Sequence, residues 1–144
     1  MTTRMLPDVS HPDFAPFWRG CAERRLVMPR CENGHVIWPP RPACLSCSAW
    51  RRDWAEVPGA GRLYSWTVVH RTRLSGYADR TPYVVGIVTL DLEQPVRMVG
   101  RCALDPADAA DGVSLAVDFE DAGRQLTVPF WRLADEPEGG QRGS

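Results

Sequence analysis

The chain has 144 residues, of which 44% are hydrophobic, and its 17 basic and 18 acidic side chains give a formal net charge of −1. Every basic residue is Arg, and Lys does not occur. This length suits one globular domain or two small ones, and the balanced charge argues against a strongly basic nucleic-acid-coating protein and against an acidic solvating tail. The 13 Pro and 12 Gly are too frequent and too evenly spread for a helical bundle.

The sequence shows no apolar run of the kind that targets a chain to a membrane. Residues 1–12 do not resemble a signal peptide, and the longest apolar run, 83–88, has the size of a strand. We therefore expect a cytoplasmic protein. In a reducing compartment, clustered cysteines favour metal binding over disulfides.

The first predicted element is an amphipathic helix over residues 13–26. Asp13 stands where a helix N-cap is expected. Phe14, Phe17 and Trp18 then fall on one face at helical spacing. An aromatic stripe of this kind must pack against either this chain or a partner, and these three residues are our candidate partner interface.

The segment 27–57 predicts a small unit that is ordered by a metal. Residues 27–50 of this segment have no periodic pattern long enough for a core-forming element, so it needs a crosslink or a metal. Its ligand-type residues have the spacing Cys31-x3-His35-x8-Cys44-x2-Cys47. Zinc prefers thiolate and imidazole ligands, and four of them close a structural site that has no open coordination position.

The second half of this cluster is a regular Cys-x2-Cys knuckle, whereas the first half is not. Gly34 stands where a zinc ribbon normally has its other cysteine. His35 is the obvious substitute, because an imidazole reaches further than a thiol. The alternative is that the site has lost a ligand and that its cysteines are small buried hydrophobes. Cys21 and Cys102 lie outside the cluster, and for them we expect core packing.

From Trp50 onward the hydrophobic period is two, which predicts β-strands. The strands fall at 63–70, 83–91, 96–103, 113–120 and 125–133. One or two helical turns are expected at 105–111, and a hairpin turn at 121–123. Five strands with a helical turn between the third and fourth follow the order of an OB-fold barrel. A small β-sandwich is the alternative, but it usually needs about seven strands.

The predicted fold is therefore mainly β and has four consecutive parts. An N-terminal segment with its helix precedes a zinc ribbon, a five-stranded barrel and a polar, Gly-rich tail for which we expect disorder. The corresponding ranges are 1–26, 27–57, 58–134 and 135–144.

Short motifs from about residue 13 to 133 match one known pattern in order and spacing. They are Phe17-Trp18, Arg30-Cys31, Gly34-His35, Pro39-Pro40-Arg41, Cys44-Leu-Ser-Cys47, 61–70, 82–86, 119–121 and 129–132. The chain thereby resembles the bacterial and archaeal proteins that join an N-terminal helix, a rubredoxin-like zinc ribbon and a C-terminal OB-fold, and that accompany thiolase-like enzymes. The missing second Cys of the first knuckle is a departure from that pattern.

This resemblance implies a function beside a partner enzyme. In that family the OB-fold is associated with acyl-coenzyme A, and thiolases, lipid-transfer-protein-type aldolases or hydratases are obligate partners. The implied roles are to pass a CoA thioester between active sites, or to complete and stabilise the partner. Family reactions include acetoacetyl-CoA condensation, steroid side-chain breakdown and acyl transfer.

No catalytic constellation is recognisable in the chain. It lacks a Gly-x-Ser-x-Gly elbow, a Walker loop and a dinucleotide fingerprint. His70 ends a strand and is a candidate base, but a strand-end His is more often a polar cap that faces solvent. Asp118, Glu120 and Asp121 alternate with apolar residues, which indicates the solvated face of a strand. We assign no catalytic residue.

The loop after the first barrel strand is the candidate cofactor site. Arg71, Arg73 and Arg80 flank this loop, which lies at a usual ligand-binding edge of an OB barrel. Guanidinium groups suit the 3′-phosphate and pyrophosphate of coenzyme A, and Trp66 or Tyr64 is a candidate to stack on adenine. The alternative is that these Arg are solvating charges and that Trp66 belongs to the core.

The leading interpretation is an accessory subunit, without catalysis of its own, of a complex that forms or breaks carbon–carbon bonds in CoA thioesters. A single-stranded nucleic-acid-binding module is the alternative, although balanced charge gives it little electrostatic drive. A residue contributed to a shared active site also stays open as a role for this chain.

Charge is unevenly distributed along the chain. Acidic residues dominate 105–121, whereas Arg clusters in two places, where we would look for a phosphate or an acidic partner. These positions are 30, 41, 51 and 52 in the ribbon, and 71, 73 and 80 in the first barrel loop.

Overall fold

The structure, a computed structural model, describes residues 5–135, so most of the predicted tail lies outside the described residues. Its helix and strands are α1 (Ala15–Ala22), β1 (Val27–Cys31), β2 (Arg52–Glu56), β3 (Ala60–Val69), β4 (Tyr83–Leu90), β5 (Val96–Ala103), β6 (Ser114–Asp121) and β7 (Thr127–Leu133). Single 3-10 turns occur at Ala78–Arg80 and Pro106–Asp108. Within residues 5–135, no helix is long and apolar enough to cross a membrane.

Strands β3 to β7 close into a barrel in the order β3-β4-β5-β7-β6. All neighbours are antiparallel except β5 and β7, which are parallel. The turn between β5 and β6 is capped by Asp105, whose carboxylate accepts the N–H of Ala107 at 2.9 Å. This order, with a helical turn between the third and fourth strands, confirms the predicted OB-fold.

Alternation along the strands fills the barrel interior. Strand β4 alternates between half-buried and fully buried residues along its whole length. Trp131 of β7 is only 1% exposed and lies against Gly100 of β5. A Cβ at position 100 would come within 3.0 Å of the indole, so glycine makes this close packing possible.

The ribbon segment contributes more to the core than its sequence predicts. Strands β1 and β2 pair antiparallel along their full lengths. Leu26, Met28, Val36 and Val57 belong to the same hydrophobic core as the barrel residues. The expectation that 27–50 lacks a core-forming element is therefore wrong, because Met28 and Val36 lie in this core. Five-residue strands are too short to show a period, and their apolar side chains find partners only in the folded barrel.

The helix is shorter than predicted, because α1 spans only part of 13–26. Asp13 does not cap it, since the structure shows no side-chain cap at its start. After Ala22 the chain turns through Arg24, whose φ is 57°, and reverses into β1. This reversal brings Val27 so close to Gly20 that a Cβ on Gly20 would lie 2.6 Å from the valine side chain. Packing of β1 against the helix thus determines where the helix ends.

Candidate functional site

The structure brings together the four ligand-type residues that the spacing predicts. Cys31 ends β1, and His35, Cys44 and Cys47 follow in the two loops before β2. Their ligand atoms all lie within 4.8 Å of one another. Cys31 and Cys44 are buried, His35 is half-buried and Cys47 is exposed.

The first loop explains the irregular spacing. The Cys31 N–H donates to the His35 carbonyl at 2.9 Å, and the Gly34 N–H donates to the Cys31 carbonyl at 2.9 Å. Gly34 occupies the left-handed position of this tight turn, with φ of 87°. Glycine adopts this conformation without strain, whereas a Cys there is disfavoured. The ligand-type side chain therefore comes one residue later, at His35.

The second loop prepares its thiols as metal ligands. The Ser48 N–H donates to the Cys44 carbonyl at 2.8 Å, which closes the Cys-x2-Cys turn. Asn33 Nδ2 donates to Cys47 Sγ at 3.3 Å. This hydrogen bond and one from the Ala49 backbone N–H lower the pKa of Cys47 to about 6. Zinc binds the thiolate form, so these donors favour the ligating state.

The distances within the cluster fit one tetrahedral zinc ion. His35 Nδ1 lies 3.5 Å from Cys31 Sγ and 3.6 Å from Cys44 Sγ, and the sulfurs of Cys31 and Cys47 are 3.8 Å apart. Zn–S bonds of about 2.3 Å and Zn–N bonds of about 2.0 Å at tetrahedral angles imply S···S of about 3.8 Å and S···N of about 3.5 Å. The donor set thus supports a structural zinc.

The remaining two cysteines have the core positions expected of them. Cys21 is 0% and Cys102 is 2% exposed. Burial raises the pKa of the Cys21 thiol to about 12 and that of the Cys102 thiol to about 11. Both are therefore protonated core side chains that lie outside the metal cluster.

We predict that iodoacetamide at about pH 8 leaves Cys21 and Cys102 unmodified in the folded protein, because the reactive thiolate is absent and the sulfurs are covered. Peptide mass mapping measures the modification of each thiol. The same protein unfolded in guanidinium is the control, and there both thiols are expected to react. Modification of either thiol under native conditions would contradict the assigned burial.

The predicted aromatic stripe packs mainly against this chain. Phe17 is only 3% exposed, and its ring centroid lies 4.9 Å from that of Trp38 in the ribbon and 5.0 Å from that of Trp18. Phe14 also meets Trp38, with the ring centroids 6.1 Å apart. Phe17 is thus a core residue that holds α1 to the ribbon. Phe14 and Trp18 are half-buried and keep some exposed surface.

The candidate cofactor residues lie on or beside the loop between β3 and β4. Arg71 and Arg73 are exposed, and Arg80 Nη1 lies 3.6 Å from Glu120 Oε1, so a carboxylate shares the charge of Arg80. Trp66 is 37% exposed, which excludes a fully buried core position.

Two carboxylates of β6 are not on a solvated face as predicted. The side chains of Asp118 and Glu120 are only 12% and 18% exposed. Arg132 Nε lies 3.3 Å from Asp118 Oδ2, and Arg101 Nη2 lies 3.0 Å from Glu120 Oε2. Only Asp121 is exposed as expected. Alternation along one strand shows only that it has two faces. Arg101 of β5 and Arg132 of β7, together with the packing of α1 against β7, cover the face that holds these carboxylates.

Two family models match successive parts of the chain. The rubredoxin-like zinc ribbon domain of ChsH2 matches residues 18–51, and the C-terminal OB-fold domain of ChsH2 matches residues 54–120. A DUF35 domain-containing scaffold protein of Pyrococcus furiosus is 32% identical over 100 residues, which are 69% of this chain and 72% of that protein.

Two longer relatives are named as hydratase subunits. A probable enoyl-CoA hydratase alpha subunit of Thermomonospora curvata is 32% identical over 121 residues, or 82% of this chain. The 3-oxo-4,17-pregnadiene-20-carboxyl-CoA hydratase alpha subunit of Mycobacterium tuberculosis is 30% identical over 136 residues, or 93% of this chain. The matched regions are only 37% and 40% of these two proteins.

Solved structures share the whole architecture. A chain of the Ltp2-ChsH2(DUF35) aldolase superposes with a TM-score of 0.77 at 30% identity, over 90% of this chain and 99% of that one. A DUF35-family protein of unknown function from Sulfolobus solfataricus has the same fold, with a TM-score of 0.56 at 13% identity over 88% of each chain. This chain belongs to the DUF35 family and has the ChsH2 arrangement of a rubredoxin-like zinc ribbon followed by an OB-fold.

Proposed function

We propose that this chain is an accessory subunit of a thiolase-like or lipid-transfer-protein-type enzyme complex that acts on acyl-CoA thioesters. The match to almost the full length of a chain in the Ltp2-ChsH2(DUF35) aldolase carries this proposal. A relative named as a scaffold and two named as CoA hydratase alpha subunits support it. In this role the chain binds the partner enzyme and contributes no catalytic residue of its own.

Co-expression with a thiolase-like or lipid-transfer-type enzyme from the same genome tests the proposal. We expect the two proteins to co-elute in size-exclusion chromatography and the enzyme to gain activity on acyl-CoA substrates. The enzyme expressed alone is the control. Separate elution, with the same activity in both preparations, would contradict the accessory role.

The metal site has a structural role in this proposal. We assign the ligands as Cys31 Sγ, His35 Nδ1, Cys44 Sγ and Cys47 Sγ, because their spacings match the edges of a zinc tetrahedron. Four protein ligands leave no position for substrate. The ion therefore fastens the two loops between β1 and β2 rather than taking part in a reaction.

The β3–β4 loop is our proposed site for the phosphates of coenzyme A. Arg71 and Arg73 are exposed and free to turn towards an anion, and Trp66 offers a ring face for adenine. Arg80 is the third basic residue of the proposed site, and its guanidinium also pairs with the Glu120 carboxylate. In this proposal the acyl-CoA of the complex contacts the β3–β4 loop through these side chains.

We predict that the double substitution Arg71→Ala/Arg73→Ala weakens binding of coenzyme A by roughly tenfold to a hundredfold. This loss corresponds to about one hydrogen bond to a charged group, about 1.5–3 kcal/mol in total, because both arginines are exposed and their contacts are screened by solvent. Isothermal titration calorimetry on the partner complex measures the Kd. Arg124→Ala, which removes an exposed Arg from the β6–β7 turn, is the matched control. Equal Kd values for the double variant and the control would contradict the assignment.

A further inference from the structure

A preformed groove separates the ribbon from the barrel. It has a volume of about 280 Å³ and lies between ribbon residues 36–46 and residues 94–97 at the start of β5. Val36, Ile37 and Val96 line it and are at most 8% exposed, so its floor belongs to the packed interior. Gln94 Nε2 donates to Ser46 Oγ across the seam. Both walls are thus held in place, which lowers the entropic cost of binding.

One large exposed apolar side chain lines this groove, and two more lie on the barrel strands β3 and β5 near its Arg97 wall. Leu45 lines it and is 78% exposed, whereas Val99 and Tyr64 on the barrel are 65% and 50% exposed. Val99 is two residues after the groove residue Arg97, so both lie on one face of β5. The Arg97 guanidinium stacks on the Tyr64 ring, 3.8 Å from its centroid. We call the groove together with Leu45, Tyr64, Arg97 and Val99 the ribbon–barrel surface.

Apart from the proposed metal ligand Cys44, the charged side chains that line the groove are all basic. Arg41 and Arg97 line it, and none of its described lining residues is Asp or Glu. Stacking on Tyr64 orients the Arg97 guanidinium while its N–H donors stay available for a carboxylate. Arg and Tyr are also the residue types that dominate binding energy in protein interfaces. The surface is therefore complementary to carboxylates that flank an apolar side chain.

This combination favours a protein segment over a small anion. A phosphate or carboxylate alone would engage the guanidinium groups and leave Leu45, Tyr64 and Val99 in water. Exposed apolar side chains that adjoin one another are typical of interaction surfaces. The occupant must therefore bring both negative charge and apolar area.

We infer that the ribbon–barrel surface docks an acidic segment of the partner enzyme and that an aliphatic or aromatic side chain of this segment enters the groove. The inference rests on the proposed function, because it specifies where and by what chemistry the partner binds. In this inference Tyr64 belongs to the partner surface, whereas Trp66, two residues later on β3, belongs to the site proposed for coenzyme A.

Two-dimensional NMR of the full, zinc-loaded chain tests the chemistry of the surface directly. The probe is a synthetic peptide in which a Leu-Phe pair is preceded by two Glu and followed by two Glu. We expect its largest shift changes at the amides of Leu45, Gln94, Val96 and Arg97, and about tenfold weaker binding to Arg97→Glu than to Arg124→Glu. Shifts elsewhere only would overturn the inference. Binding of inorganic phosphate or of a single-stranded oligonucleotide to this surface as tightly as the peptide would overturn it too.

The complex tests the location of the interface. With the partner enzyme immobilised, we expect Arg97→Glu and Leu45→Ser to weaken binding by at least about tenfold, and Arg124→Glu to bind like the wild type. Zinc content and circular dichroism verify that each variant is folded. If the surface variants bind like the wild type, the inference fails and the accessory role stands. If the wild type and the control also fail to bind, the accessory role fails, whereas the peptide titration still decides the chemistry of the surface.

Discussion

A chain with Cys44→Ser is expected to hold well under one zinc ion and to lose order across β1 and β2. Cys44 is a buried member of the cluster, and the substitution replaces its thiolate with a weaker hydroxyl ligand. Structural zinc sites bind with about 10–16 kcal/mol in small zinc-ordered units, so the loss of one ligand removes a large part of the energy that orders the ribbon. His35→Ala should act in the same direction.

The effect is expected to extend into the barrel. Met28 and Val36 belong to the same hydrophobic core as barrel residues, and Trp38 packs on α1 through Phe17. If the ribbon loses order, apolar surface on both sides becomes exposed to water. We therefore expect a lower Tm for the whole protein, while the closed barrel keeps its strands.

Metal analysis and hydrogen exchange by mass spectrometry measure these effects. The wild type is expected to contain about one zinc per chain and to protect the amides of β1 and β2. Cys102→Ala is the matched control, because it removes a buried cysteine outside the cluster and should retain zinc. A wild type free of zinc, or a Cys44→Ser variant with full zinc content and unchanged exchange, would contradict the assigned site.

The loss of zinc should also affect partner binding. Leu45 and Ser46 lie between two of the proposed ligands, and Ser46 joins this loop to Gln94 of the barrel. The metal thus positions one wall of the ribbon–barrel surface. In this way a site without catalytic chemistry serves the proposed accessory function.

Arg132→Met is expected to lower the free energy of unfolding by about 3 kcal/mol. The side chains of Arg132 and Asp118 are only 10% and 12% exposed, so removal of the guanidinium leaves a carboxylate that is largely buried without its main counter-charge. Arg24 Nη1 lies 3.9 Å from Asp118 and donates to the Phe119 carbonyl at 2.7 Å. Arg24 is 63% exposed and compensates only in part.

A double-mutant cycle in urea separates the pair from its surroundings. Asp118→Asn alone should also destabilise, whereas the double variant Asp118→Asn/Arg132→Met should lose less than the sum of the single losses, because no unpaired charge is left. Asp91→Asn is the matched control, since its ion pair with Arg62 is 4.0 Å long and exposed. That change should stay within about 0.5 kcal/mol. An equally small loss for Arg132→Met would contradict a buried pair.

The local patterns of the sequence were sufficient for the architecture of the barrel. Period-two alternation predicts all five strands, and the predicted bounds 96–103 agree with β5 of the structure. The residue types and spacing of the cysteines predict the metal cluster, because ligand preference depends on side-chain chemistry and on short loops. In the sequence, Gly34 appeared only as a departure from the usual Cys-x2-Cys spacing. The tight turn that explains why His35 takes the place of a cysteine is seen only in the structure.

The sequence alone determined the strand periodicity, the turns and the ligand chemistry, since each depends on residues that are close along the chain. Only the tertiary structure decided which faces are covered. In the folded chain, Phe17 of the predicted aromatic stripe is a core residue, and Asp118 forms a buried ion pair with Arg132. The tertiary structure also joined Leu45 of the ribbon and Arg97 of the barrel in one groove. These pairings link residues far apart in sequence, and burial is a property of everything that packs around a side chain rather than of its own local pattern.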